Sequence, residues 1–255
     1  MFKKLKKMQF LFEELVKRDF KHKYKRTVLG MAWSVLSPLL TLFVLRLVFT
    51  QFFGRKMEHY TTYLFCGTLV MSYFRESTRG GMNALVSNSK VFTKIKIPKY
   101  LFLLSKNVSA LINFGLTICV FFFFCYLDKI TFTWKFVMLI YPVACLVVMN
   151  IGIGLILSAM YVFFRDTSYL YDVFLTLLNY FSAIFYQIDS YPPEMQRLFL
   201  MNPVFCNIKY FRLIVLEGKI PSVKYHLLVA GYALLFLLIG AVIYKKNNQK
   251  FLYYV

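Results

Sequence analysis

The chain has 255 residues, of which 59% are hydrophobic, 20% aromatic and only 16% charged, with 31 Lys and Arg against 11 Asp and Glu. A soluble domain averages about 45–50% apolar and about a quarter charged residues, so this composition excludes a disordered chain, a collagen-like chain and a small disulfide scaffold. The basic residues lie between long apolar runs rather than on a polar body, which argues against a soluble nucleic-acid binder.

Residues 2–26 come first. Phe2, Leu5, Phe10, Phe12, Leu15, Val16 and Phe20 alternate with Lys3, Lys4, Lys6, Lys7, Lys17, Arg18 and Lys21. Much of the apolar set recurs every three to four residues, which predicts a basic amphipathic helix lying in the headgroup plane. It reads either as a plain positive-inside anchor or as a collar at the mouth of a pathway. No cleavable signal is expected, since the first apolar run starts some thirty residues in and lacks a small-residue cleavage site.

A membrane helix needs about 20 largely apolar residues to cross about 30 Å of hydrocarbon. Six stretches qualify: 31–53, 60–78, 106–127, 136–163, 169–188 and 225–244. The runs are continuous rather than alternating, which excludes barrel strands. The second is the weakest, because Arg75, Glu76 and Arg79 crowd its end. Basic residues concentrate in 1–30, in 79–106 and in the tail at Lys245, Lys246 and Lys250, whereas the segments 54–59 and 128–135 hold only Arg55, Lys56, Lys129 and Lys135. That bias places both ends inside and agrees with an even number of spans. The expected fold is an all-α integral membrane domain covering 1–255, with an N-terminal part at 1–30, a six-span core at 31–244 and a tail at 245–255.

Arg46 sits well inside the first span and either lines a pathway that meets an anionic group or snorkels to the interface. Residues 84–105 hold Asn88, four lysines with a fifth, Lys106, directly after, and Pro98, and read as a helix laid across the inner face or as a solvated basic loop. Between spans five and six, 189–224 carries Pro192, Pro193, Asn202, Pro203 and Pro221 around two apolar pieces, 194–201 and 204–217, too short to cross. Pieces of this length read as re-entrant or as surface helices, and re-entrant backbone survives only against protein or a cavity. Aromatics crowd the spans, among them Tyr60, Tyr63, Tyr73, Tyr180, Phe185 and Tyr186; they supply either packing bulk or flat faces along which a polyhydroxylated chain slides. The five cysteines show no CxxC pair and read as apolar fillers. No Gly-rich phosphate loop, HExxH or GxSxG is present, so neither an ion-coupled carrier nor a membrane enzyme is favoured, and uphill transport requires a separate motor chain.

Residues 15–40, LVKRDFKHKYKRTVLGMAWSVLSPLL, carry Arg18-Asp19-Phe20-Lys21, Tyr24, Leu29-Gly30, Trp33 and Pro38. This stretch resembles the opening of type-2 ABC exporter permeases for polysaccharides. Gly67, the run at 85–105, FFRD at 163–166 and NPVFCNIKYFR at 202–212 resemble later signatures of that family in the same order. The resemblance implies a homodimeric, non-catalytic permease in the bacterial cytoplasmic (inner) membrane. It implies two partner ATPase subunits that bind the ATP and Mg, with no cofactor in this chain, and export of O-antigen, capsule or teichoic acid on undecaprenyl or another lipid carrier. A small drug or lipid is the alternative cargo. By the same resemblance, Asn88, Lys90, Lys94, Lys96, Pro98, Arg165 and Asp166 contact the ATPases, and Arg18, Tyr24 and Arg26 meet substrate phosphate at the mouth. Trp33, Arg46, Tyr73, Tyr180, Phe185 and Tyr186 line the channel, while Pro192, Pro193, Asn202, Pro203 and Arg212 form the outer gate.

Overall fold

The computed structural model describes residues 2–24, 29–48, 58–94, 97–189 and 191–254, without the side chains of 2–5, 7, 22–24 and 31. Among the described residues the chain is helical, with no strand. Helix α1 is Phe2–Tyr24, α2 Trp33–Leu47, α3 Tyr60–Ser87, α4 Ser89–Phe92 and α5 Tyr100–Leu127. A short 3-10 segment, Trp134–Leu139, leads into α6, Ile140–Phe163; α7 is Thr167–Phe181, α8 Pro193–Phe199, α9 Pro203–Val215, α10 Val223–Asn247 and α11 Phe251–Tyr254. Among the described residues, three helical stretches are long and apolar enough to cross a bilayer: Tyr100–Leu127, Trp134–Phe163 and Val223–Asn247. The pair α8 and α9 is bent by 107°, and it stands where the two re-entrant pieces are expected. The chain is a multi-pass membrane protein, its apolar helices offering large exposed side chains such as Phe123, Leu234 and Leu238 to lipid.

Helix α3 departs most from the sequence expectation. The weak span of 60–78 is a 28-residue helix, about 42 Å long at 1.5 Å per residue, and it holds more buried residues than any other described helix. Arg75, Glu76 and Arg79 fall inside it rather than at its end. They share one partly exposed stripe, while the rest of the circumference, from Leu64 through Met82, is buried. The expected helix across the inner face is also shorter than 84–105 allows. Asn88 ends α3 by donating Nδ2 to the Ala84 carbonyl at 2.8 Å, only the single turn α4 follows, and Pro98 lies just ahead of α5, its carbonyl accepting from the Leu101 amide. The fifth expected span, 169–188, ends as a helix at Phe181, because Ser182–Ile188 fold into a turn with Ala183 in the left-handed region.

Packing between spans relies on small residues and polar side chains, as expected where lipid offers no hydrophobic contrast. Gly81 of α3 faces Gly154 of α6, and Gly152 of α6 faces Gly240 of α10, backbone against backbone. Hydrogen bonds cross between helices: Asn107 Nδ2 donates to Ser77 Oγ at 2.7 Å, Tyr73 Oη to Asn107 Oδ1 at 3.2 Å, and Tyr171 Oη to Thr78 Oγ1 at 2.5 Å. Two ends of the bundle follow from the chain path. α1, α4 and α11 gather at one, the termini end; the 182–188 turn and the α8–α9 pair lie at the other, the distal end.

Candidate functional site

The stripe on α3 is the first candidate. Thr68, Ser72, Arg75, Glu76, Arg79 and Asn83 recur at helical spacing on its open side, about 22 Å along the axis at 1.5 Å per residue. Two adjoining clefts follow it, sharing Ser72 and Glu76. The larger, about 520 Å³, adds Trp33, Ser34, Ser37 and Thr41 of α2 and Asn113 and Thr117 of α5. The other, about 400 Å³, continues past Arg75 and Arg79 to Asn83. Asn113 Nδ2 donates to Glu76 Oε1 at 2.6 Å, and Arg79 pairs with Asp172 of α7. At membrane depth, hydroxyls, amides and charges of both signs are stable only against water, protein or a polar cargo. Such a surface offers hydrogen-bond donors and acceptors without one dominant anchor.

At the distal end, Arg212 of α9 is 8% exposed. Its Nη1 donates to the Ala183 carbonyl at 2.9 Å and its Nη2 to those of Ile184 at 3.0 Å and Tyr63 at 3.4 Å, while the guanidinium lies 3.5 Å from the centre of the Tyr63 ring. Asn202 works on the same turn. Its Oδ1 caps α9 by accepting from the amides of Val204 and Phe205, and its Nδ2 donates to the Phe181 carbonyl at 3.1 Å and Ser182 Oγ at 3.0 Å. The last carbonyls of α7 lack intrahelical partners, as at any helix end; Asn202 supplies a donor to that of Phe181, and the arginine ten residues later serves the turn that follows. Tyr60 and Tyr63 of α3 complete the clamp through the carbonyls of Phe185 at 3.1 Å and Tyr186 at 2.5 Å.

At the termini end, Asp19 is 7% exposed and collects three donors. Lys106 Nζ reaches Oδ1 at 2.9 Å, Ser105 Oγ reaches Oδ2 at 2.9 Å, and Arg18 Nη2 reaches Oδ1 at 2.9 Å. The same Arg18 nitrogen donates to Asn88 Oδ1 at 2.7 Å. This node ties α1 to the end of α3 and the start of α5. Removing the carboxylate in Asp19→Ala strands two cations beside each other, and we expect a loss of about 1–3 kcal/mol with earlier protease release of α1. An unchanged melting temperature and digestion pattern would show that the node holds nothing.

The structure sorts the expected residues. Arg18 pairs with Asp19 and Asn88 while remaining exposed, and Asn88 is buried as its partner. Lys90, Lys94, Arg165 and Asp166 are exposed, and Arg165 stacks 5.3 Å from the centre of the Tyr161 ring. Trp33 lines the larger cleft, and Arg46 is exposed on the last turn of α2. Tyr180 is exposed on α7, with Phe185 at 6.2 Å between ring centres, and Tyr186 Oη donates to the Tyr180 carbonyl. Tyr73, expected to line the channel, is buried within the chain, 4.7 Å from Phe114, with its hydroxyl on Asn107. Pro192 and Pro193 are exposed at the start of α8, and Pro203 opens α9. Arg26 and Lys96 lie outside the described residues, as does the side chain of Tyr24. The Asp19 node and the polar stripe beyond Arg75, Glu76 and Arg79 escape a reading by span; the signal for the stripe is the recurrence of polar residues every three to four positions from 68 to 83.

The chain belongs to the ABC-2 type transporter family, whose profile matches residues 11–216. It is 25% identical over 245 residues to an O-antigen export system permease protein, RfbA, of Myxococcus xanthus, with 94% of each chain covered. It is 25% identical over 248 residues to an RfbA of Klebsiella pneumoniae, with 95% of each covered. A polysialic acid transport protein, KpsM, of Escherichia coli is 22% identical over 254 positions, with 94% of each covered. The resemblance first visible in the Arg18–Pro38 stretch is thus a family relationship across the chain.

Proposed function

We propose that this chain is the membrane-spanning, non-catalytic subunit of an ATP-driven exporter of polysaccharide. Its relatives from Myxococcus, Klebsiella and Escherichia are permeases and transport proteins for O-antigen and polysialic acid. The observation that supports the reading beyond family is the polar stripe of α3, with one cleft against α2 and α5 and a second along α3 itself, which would supply hydroxyl and amide partners to a sugar chain. In this reading α2, α3, α5, the Trp134–Phe163 stretch, α7 and α10 are six spans in the bacterial inner membrane, with the termini end cytoplasmic. Two copies pair. Two separate ATPase subunits, which bind the ATP and Mg, dock at Lys90, Lys94, Lys96 and Pro98 and at Arg165 and Asp166. Trp33, Arg46, Tyr180, Phe185 and Tyr186 line the path. The lipid-linked glycan enters by the basic termini end, where Tyr24 and Arg26 meet its phosphate, and leaves past Pro192, Pro193, Asn202, Pro203 and Arg212.

ATP binding closes the motor subunits, and the docking segments pass that movement to α3, α5 and α7 as rigid bodies. α7 suits the moving part: only its Thr167, Tyr171 and Leu175 stripe is buried, and its opposite face, with Phe174, Leu177 and Tyr180, is open.

Two measurements test the reading. Deleting the gene should abolish a surface glycan, and the intact chain should restore it; a strain that keeps its glycan contradicts the function. Single cysteines at Ser72, Arg75 and Asn83 should react with a membrane-impermeant maleimide in the purified transporter, while cysteines at Leu234 and Leu238 of α10 stay unlabelled. Equal labelling of the two sets would remove the water-exposed path.

A further inference from the structure

The four-residue helix α11 lies beyond the residues matched by the family profile, and its packing has a specific geometry. Phe251 is 0% exposed. Its ring lies 6.0 Å from Phe163, the last residue of α6, and 5.1 Å from Tyr244 of α10. Tyr254 meets Phe163 edge-on at 5.0 Å. On the other side stands Lys99, just ahead of α5. Its ammonium is 5.7 Å from the centre of the Phe251 ring and 5.7 Å from that of Phe92 in α4, and it donates to the Asn248 carbonyl. The ammonium is therefore held between two aromatic faces, an attraction of about 0.5–2 kcal/mol. Burial there pushes the Lys99 amine below the usual lysine value.

Phe163 immediately precedes Phe164, Arg165 and Asp166; Phe92 and Lys99 flank the 93–98 connection. The tail therefore touches residues that border both segments the exporter reading assigns to the ATPase subunits, Lys99 on one side and Phe163 on the other. We infer that the C-terminal tail is a brace: Phe251, seated between Lys99 and Phe163, sets the spacing of the 93–98 connection and the 164–166 turn, so that both engage the motor together. Phe251 and Lys99 are in this sense positioning residues; neither meets the cargo.

The brace has a readout that does not depend on transport. Spin labels at Lys94 and Arg165, introduced after Cys119→Ser, should give one narrow distance distribution in the full-length purified chain. Phe251→Ala, or truncation after Lys250, should broaden it; Phe251→Leu, which keeps an apolar plug, should leave it narrow. Lys99→Met, which keeps the aliphatic stem and removes the ammonium, should broaden it as well, and it decides the question if Phe251→Ala does not reach the membrane. In the unlabelled transporter the broadening variants should reduce glycan export and its coupling to ATP hydrolysis, roughly 2- to 30-fold by the usual size of coupling changes, at normal membrane abundance. An unchanged distribution in Phe251→Ala or in Lys99→Met overturns the brace, and a broadened one with full export and coupling overturns its role. The inference rests on the exporter reading only for that second part: failure of the intact chain to restore a surface glycan removes the reading, while the distance measurement still decides the brace.

Discussion

Arg212→Ala should lower the stability of the purified protein by about 3 kcal/mol or more, since hydrogen bonds to charged groups contribute about 1.5–3 kcal/mol each and stranded buried acceptors cost a further 1–3 kcal/mol. The guanidinium is the shared donor for the carbonyls of Ala183, Ile184 and Tyr63, and the Tyr63 hydroxyl backs it only at Ala183, at 3.4 Å. The loss should be local in character. The 182–188 turn should become sensitive to protease, because Ala183 holds a left-handed conformation that costs a non-glycine residue about 1–2 kcal/mol and is kept by these contacts. Arg212→Lys keeps the charge, but one ammonium does not reproduce a planar fork stacked on Tyr63, so an intermediate loss is expected. Gly67→Ala should act in the same direction, since a Cβ there would stand 2.9 Å from Ile184 Cγ2 and 3.2 Å from Arg212 Nη2. Thermal unfolding in detergent, with proteolysis mapped by mass, measures all three. Arg212→Ala melting at the wild-type temperature would show that the turn is held by packing alone.

The distal clamp also shows what a sequence makes visible. Pro193 and Asn202-Pro203 announce the starts of α8 and α9, because proline suits the first turn of a helix and asparagine caps it, so the bent pair is legible in the residues themselves. The target of Arg212 is not, since it donates to backbone carbonyls, which carry no residue identity. The long apolar runs of α5, α6 and α10 are equally plain from composition. α3 is not: its charges lower the average hydropathy, and only the helical spacing of Thr68, Ser72, Arg75, Glu76, Arg79 and Asn83 shows that they share one side of an otherwise buried helix. Tyr73 shows the opposite case. An aromatic within a span is compatible with a channel wall or with a packed core, and a hydrogen bond to Asn107, 34 residues away, separates the two only in three dimensions. Arg18 and Asn88 lie 70 residues apart, so the node joining α1 to the end of α3 is likewise invisible to local patterning.

A glycine series offers the second large effect, with its sign dependent on position. In an ordinary helix interior, replacing Gly by Ala stabilises by about 0.5–1 kcal/mol. Gly115 of α5 and Gly231 of α10 fit that case, as an added Cβ meets nothing within 4 Å. Gly152 does not. A Cβ there would overlap the backbone of Phe236 and Leu237 in α10, and one on Gly240 would overlap the Gly152 carbonyl. No rotamer change relieves contact with main-chain atoms, so α6 and α10 must separate. Overpacking of this kind costs about 1–3 kcal/mol, and larger side chains should do more harm. Gly152→Ala and Gly240→Ala should therefore lower the melting temperature while Gly115→Ala and Gly231→Ala raise it, and Gly152→Val should prevent accumulation in the membrane. The contrast bears on the working of the protein. A contact that excludes even a methyl group holds α6 and α10 as one fixed unit, which leaves the loosely seated α7 to move against it. A stable, active Gly152→Val transporter would contradict that division, because it would mean that the α6–α10 seam gives way without consequence.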